Sequence, residues 1–430
     1  VTLTGLKPGI HYAHIENDRF TLHQHDAGYR PRGVHRMTRI EFRLIVAGTM
    51  LIGTTYGLAR FAYGLFLPGM RDDVGLSPTL AGVIGSGAYV GYCLAIVLSA
   101  LLVERFGPRR IAVAAALIAA VGMAGVAVST QAVWLAGAIL LAGTSTGLAS
   151  PPMAQAVSGA ITAPQQGRAN TVINAGTSLG VAVSGPVAFI ATGQWRLAYA
   201  AFAIAALLNA LLLLISVPRA SGSDTAKATD DQDDSRPGGL WRPRALMLIV
   251  AATGMGMASA AFWTFSSEVV ITLGHFEQAT ANIAWILIGV AGLVGGAAGD
   301  LIARLGLNTV HRGSLAAMAG ALGLLVLSPS NLAAVLVSGA LFGAAYIMLT
   351  GVYLVWGIRL YADRPAIGLG LPFLMIAVGQ IVGSPLAGYL IGSRGYLVCF
   401  IAFALIAVAT ALIGYRTIER TAFQPASTSP

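Results

Sequence analysis

Charge is what this sequence has least of. Asp, Glu, Lys and Arg make up 10% of its 430 residues, against roughly a quarter in a soluble domain. The length would allow two or three soluble domains, but so few charges cannot cover their surfaces. Lysine occurs twice, at Lys7 and Lys227, and arginine supplies every other cationic side chain. Cysteine also occurs twice, and Cys93 and Cys399 both lie in apolar segments. That argues against a disulfide framework and leaves no metal spacing. The histidines fall in the first 36 residues or at loop edges, again without ligand spacing. No phosphate-binding loop is present. No enzymatic constellation, cofactor or metal is therefore expected, and ATP does not drive the chain unaided. The formal charge of +9 is spread over short loops rather than one patch, which excludes a nucleic-acid partner.

What the sequence has in quantity is oil. Hydrophobic residues reach 56%, with 53 glycines and 18 prolines, two residues more frequent in membrane helices than in soluble ones. Apolar runs follow one another at 44–69, 79–103, 111–129, 132–157, 170–192, 197–217, 245–272, 279–302, 313–329, 332–358, 367–391 and 396–415. Each is long enough to cross a hydrocarbon core of about 30 Å as a helix. Lipid offers the backbone no partners, and the runs are too long for barrel strands. The expectation is an all-α membrane protein of twelve transmembrane helices in two pseudo-symmetric six-helix halves, 44–217 and 245–415.

Arginine placement gives the orientation. With the N-terminus inside, the inner loops hold Arg105, Arg109, Arg110, Arg168, Arg219, Lys227, Arg236, Arg242, Arg244, Arg304, Arg312, Arg359 and Arg364. The outer loops hold Arg71, Arg196 and Arg394. This is the positive-inside asymmetry. It places both termini in the cytoplasm, and a monomer in a bacterial inner membrane is expected. Residues 218–244, rich in Ser, Asp, Gly and Pro, read as a flexible cytoplasmic linker, and 416–430 as a cytoplasmic tail. Residues 1–43 form a polar extension without the apolar core of a signal peptide. Met37 is expected as the true start, with 1–36 an over-extended reading frame or a disordered tail.

The halves repeat at an offset near 200 residues. GTSLGVAVSGP, with Gly176, Gly180 and Pro186, matches GQIVGSP, with Gly379, Gly383 and Pro385. ERFG at 104–107 matches ARLG at 303–306, and Arg196 matches Arg394. The loop ALLVERFGPRR resembles the best-known motif of the major facilitator superfamily, G-x-L-A-D-R-x-G-R-R. Ala100 stands for its first Gly and Glu104 for its Asp, while Arg105, Gly107, Arg109 and Arg110 fit. The resemblance covers about residues 40–415. It implies a major facilitator fold, a central cavity lined by helices 1 and 7, and a conformational latch at Glu104, Arg105, Gly107, Arg109 and Arg110. The latch would form in one access state and break in the other. A topology-setting basic loop is the alternative. The arginine that many drug/proton antiporters of the family carry in helix 4 is missing from LLAGTSTGLASPP, which sets this chain apart from that scheme.

Few charges remain inside the spans. Arg60 sits in helix 1, Glu268 in helix 7, and Asp300 near the inner end of helix 8, four residues from Arg304 as an ordinary helix pair. A buried arginine is costly, by about 2.5–3.5 kcal/mol or more. Three roles for Arg60 stay open: anchoring an anionic substrate, pairing with Glu268 as a gate that proton or substrate binding breaks, or simply snorkelling or making a structural bridge. Glu268 is the candidate proton carrier, or else a solvated carboxylate near the outer surface. Tyr56 and Tyr63 share a helical face with Arg60. With Asn174, Trp263 and Gln380 they are the expected substrate contacts. The function expected is a secondary transporter of a small organic compound, proton-coupled and working by alternating access, with export favoured. Organic-anion uptake, or a non-transporting membrane sensor or assembly partner on the same scaffold, are the alternatives.

Overall fold

The computed structural model describes residues 14–16, 19–21, 38–191, 193–218, 242 and 244–415. Nearly all of them are helical, as lipid demands of a backbone that must satisfy itself. In chain order the helices are α1 (Arg39–Val74), α2 (Pro78–Phe106), α3 (Pro108–Val128), α4 (Ala132–Ala160), α5 (Ala163–Ile190) and α6 (Trp195–Ser216). The second set is α7 (Ala245–Leu273), α8 (Gln278–Leu305), α9 (Leu307–Leu327), α10 (Leu332–Leu360), α11 (365–394) and α12 (396–411). The last two form one continuous run broken only at Gly395, whose φ of 83° and ψ of 173° are not helical. The twelve expected spans are thus all present. β1 (His14–Glu16) pairs antiparallel with β2 (Arg19–Thr21). The rest of the extension before Thr38, the linker apart from Pro218, Arg242 and Arg244, and the tail 416–430 lie outside the described residues.

Helix ends follow local chemistry. Ser77 caps α2 by accepting from the Leu80 N–H at 3.2 Å, and Asn331 caps α10 by accepting from Ala334 N–H at 3.2 Å. Three turns need a left-handed residue, and each recurs in the other half about 200 residues on: Gly75 with His275, Gly107 with Gly306, Gly193 with Gly395. Glycine takes a positive φ without penalty; His275, at φ 55°, is the non-glycine exception.

The small-residue pairs pack in the same way in both halves. Gly176 and Gly180 of α5 lie against Thr49 and Gly53 of α1, while Gly379 and Gly383 of α11 lie against Thr253 and Met257 of α7. Small side chains let helices approach this closely. Between halves, a Cβ on Gly64 (α1) would strike the Trp263 backbone of α7, and one on Gly82 (α2) the Ser384 backbone of α11. Gly388 of α11 sits as tightly on Pro78, and Gly289 of α8 on Ala182 of α5. These contacts gather toward the end with few arginines. There a single apolar core runs through both halves. At the opposite, arginine-rich end the first half keeps a separate core around Leu51, Ala116, Met153 and Ile173. Gly296 and Gly299 of α8, one and two turns beyond the packed Gly292, meet nothing within 4 Å. The seam between the halves is closed at the arginine-poor end, and toward the other end α8 has open space beside Gly296 and Gly299.

Two sequence expectations are corrected. His311, placed at a loop edge, is fully buried in α9 with its ring edge-on to Tyr353 and Trp356. Asp300 and Arg304 are both exposed and form no ion pair with each other, since water solvates each as well as the other would.

Candidate functional site

The candidate site starts from an irregularity in α1. Residues Gly53–Phe61 form a π-helical stretch between two α-helical segments. Thr54 and Thr55 donate their hydroxyls back to the carbonyls of Met50 and Leu51, at 2.6 and 2.8 Å. Such bonds compete with the helix ladder and bend it. π-segments within helices mark functional positions more often than chance would place them there. Arg60 lies in this stretch, 6% exposed.

Around Arg60 the structure builds a cage with no acid in it. Its guanidinium carbon stands 4.5 Å from the Tyr89 ring, 4.7 Å from Tyr92, 5.2 Å from Phe61 and 5.7 Å from Tyr56. One nitrogen, Nη2, donates to Gln380 Oε1 at 3.0 Å, while Nε has no partner. The ion pairs among the described residues are Arg71–Glu268, Arg196–Asp73 and Arg242–Asp363. Arg60 belongs to none. Gln380, fully buried in α11, turns its amide nitrogen to Tyr346 Oη at 3.3 Å and Ser259 Oγ at 3.4 Å. Tyr56 Oη meets Ser150 Oγ at 3.0 Å. Trp263 stacks on Phe61 at 4.2 Å between ring centroids and meets Tyr346 edge-on at 5.1 Å, leaving its indole N–H unpartnered. An arginine, four tyrosines, an amide and two serines thus converge from α1, α2, α4, α7, α10 and α11.

Not every expected residue joins them. Tyr63 turns away: its hydroxyl donates to the Ala81 carbonyl at 2.9 Å. Its shared face with Arg60 assumed an unbroken α-helix, and the wider π-turns remove that register. Asn174 is exposed on α5, one turn before Ser178, whose own neighbours lie on α8. It makes no hydrogen bond to the Arg60 group.

Glu268 is not Arg60's partner. It is buried near the arginine-poor end, where Arg71 Nη1 donates to it at 2.6 Å and Tyr396 Oη at 3.2 Å. Arg71 Nε is held by the Leu76 carbonyl at 3.0 Å. The group ties α1 of the first half to α7 and α12 of the second. A second π-stretch, Val269–Leu273, follows Glu268 directly. At the other end, Glu104, Arg105 and Arg110 are exposed and Gly107 supplies the turn, with no ion pair at Glu104 among the described residues.

Sequence reasoning missed Tyr89, Tyr92, Arg71 and Tyr396. The two tyrosines stand three apart in AYVGYC of α2, a spacing that puts both on one helix face. Arg71 counted only as an outer-loop charge, because its partner lies 197 residues away.

Comparison with known proteins agrees with this architecture. The family model described as Major Facilitator Superfamily matches residues 49–371. A hexuronate transporter of Bacillus subtilis (strain 168) is 28% identical over 170 residues, which is 39% of this chain and 40% of that protein. The chain therefore aligns with less than half the length of this curated relative. Among solved structures, the nucleoside transporter NupG superposes with a TM-score of 0.70 at 13% identity, over 87% of this chain and 98% of that one. The xylose transporter XylE from E. coli, in a partially occluded inward open conformation, gives 0.69 at 17% identity, over 87% and 97%.

Proposed function

The chain belongs to the major facilitator superfamily, and from that premise we propose that it carries a small organic anion across the membrane by alternating access, with Arg60 as the anchor. It is a multi-pass membrane transporter rather than an enzyme. The observation that carries the finer reading is the buried guanidinium of Arg60 with no carboxylate beside it. Breaking up a buried charge pair is strongly unfavourable, and a carrier site that lacks the second charge is suited to receive it from outside. Arginine presents a fork that matches a carboxylate.

The remaining groups favour an acid that also bears hydroxyls. Tyr56, Ser150, Ser259 and Tyr346 offer hydroxyl groups, and the tyrosine and tryptophan faces offer flat apolar walls, the mixture expected of a small-molecule site. A sugar acid meets both, and the resemblance to a hexuronate transporter supports that class. Trp263 serves as part of the wall. Asn174 lines the approach from the arginine-rich end, and Tyr63 braces the closed end.

With the arginine-rich end cytoplasmic, this form faces inward. The Glu104 loop is then the latch in its released state. Proton coupling is assigned to Glu268, because its carboxylate holds Arg71 across the halves at the outer end. A proton arriving from outside would neutralise it and free Arg71. That placement favours proton-driven uptake over export.

The test is flux of D-glucuronate and of uncharged D-glucose into proteoliposomes under an imposed pH gradient, with wild type, Arg60→Lys and Arg60→Ala. Uptake of the acid that rises with the gradient and collapses in both variants is the expected result. Unchanged flux in inserted Arg60→Lys and Arg60→Ala protein rules out the anchor, and binding without flux favours the sensor.

A further inference from the structure

We propose that Gln380 is a built-in stand-in for the substrate's carboxylate, and that this neutral stand-in lets the empty carrier change state. The inference rests on the reading of Arg60 as an anion anchor. It starts from the orientation of one amide. Arginine only donates, so the group facing Arg60 Nη2 at 3.0 Å must be the Gln380 carbonyl oxygen. That fixes the amide nitrogen on Tyr346 Oη and Ser259 Oγ. The side chain is fully buried and spans the seam, with Arg60 on α1 of the first half and its other partners on α7 and α10 of the second.

A carrier that returns empty must pass through a form closed at both ends. A guanidinium sealed there without an acceptor is strongly disfavoured. Carriers with such a site would cross only when loaded, which makes them obligate exchangers. Gln380 relieves this. Its oxygen occupies one guanidinium N–H, and aromatic faces cover the flat surface of the charge. The relief is also weak enough to give way. A carboxylate forks onto arginine through charge-assisted bonds roughly twice as strong as a neutral one, so an arriving acid displaces the amide. A glutamate at this position would compete with the arriving acid for Arg60, and an apolar residue would leave it bare. The amide lies between these extremes. The amide acts in a dry setting, since Tyr89, Tyr92, Gln380 and Tyr346 are each under 5% exposed.

Proteoliposomes separate the two fluxes. Labelled D-glucuronate entering vesicles that hold no acid reports net transport, and entry into vesicles preloaded with unlabelled D-glucuronate reports exchange. Wild type should do both. In Gln380→Leu the ratio of net to exchange flux should fall by about tenfold or more, with Gln380→Met as a second variant should the first insert poorly. Gln380→Glu should keep empty-carrier return but weaken the apparent affinity for the acid by about tenfold. An equal fall of both fluxes in the Leu and Met variants would make Gln380 a plain substrate contact and overturn the inference. So would an unchanged ratio, or wild-type affinity in Gln380→Glu. Failure of the underlying reading looks different: wild type moves no acid, or moves it equally well with Arg60→Ala.

Discussion

Glutamine in place of Glu268 should open the end of the protein that the structure shows closed. Glu268→Gln keeps the size of the side chain and its ability to accept from Tyr396, and removes the charge that holds Arg71. Fully exposed ion pairs contribute about 0.2–1 kcal/mol, and breaking a fully buried one costs about 3–5 kcal/mol. The Glu268 side chain is 4% exposed and that of Arg71 22%, so the pair falls between, at about 1–3 kcal/mol. That corresponds to a shift of about 5–150-fold in the balance between closed and open forms. Spin labels can read it. Thr130 and Ser330 are exposed in the equivalent loops of the two halves at that end. Labels at Thr130→Cys and Ser330→Cys, with Cys93 and Cys399 replaced by serine, report the separation by pulsed electron resonance. The label distance should shift to longer values in Glu268→Gln, and Arg71→Gln should shift it in the same direction. An unchanged distribution in both variants, with the protein still folded in detergent, would show that Arg71 and Glu268 do not hold the halves together.

Three further outcomes follow from the same structure. Gly82→Leu, whose side chain would strike the Ser384 backbone, should lengthen the same label distance, since overpacking typically costs about 1–3 kcal/mol; a wild-type distance would show that α2 and α11 separate without effect. Cys93, half-buried one turn beyond Tyr89, should be alkylated by a water-soluble maleimide and protected by D-glucuronate, and equal labelling with and without the acid would place the substrate elsewhere. Arg242 donates to Asp363 at 2.5 and 2.7 Å and holds its carboxyl below the usual range. That stabilisation is present above the unfolded carboxyl's ordinary value and is lost as pH falls through the depressed one. The melting-temperature gap between wild type and Asp363→Asn should therefore be constant near neutrality and close in acid below the ordinary carboxylate range. A gap that widens in acid contradicts the pairing.

The parts of this protein that were legible in its sequence are those written locally. Hydrophobic runs and arginine-bearing turns are contiguous, so the spans and the repeat could be read directly. Arg60 stood out because a lone charge in an apolar run is visible without knowing its surroundings. Its surroundings were not visible. Gln380 is 320 residues away and Glu268 is 197 residues from Arg71, and nothing local sets which residue meets which across the seam. The π-stretch in α1 was hidden for another reason. Threonine back-bonds such as those of Thr54 and Thr55 also occur in regular helix, at Thr144 and Thr410, so they do not announce it, and reading the face by ordinary helical spacing placed Tyr63 beside Arg60 instead of on the Ala81 carbonyl.

A permanent cation halfway through a bilayer also acts on traffic that never binds. Hydronium and sodium approaching Arg60 meet a like charge in a medium of low permittivity, the device by which water pores exclude protons. A cation at that depth would thereby insulate the membrane against leakage of a proton or sodium gradient, whatever it binds. In a proton-coupled cycle of the kind proposed, the proton would ride on a side chain such as Glu268 rather than along a file of water past the guanidinium.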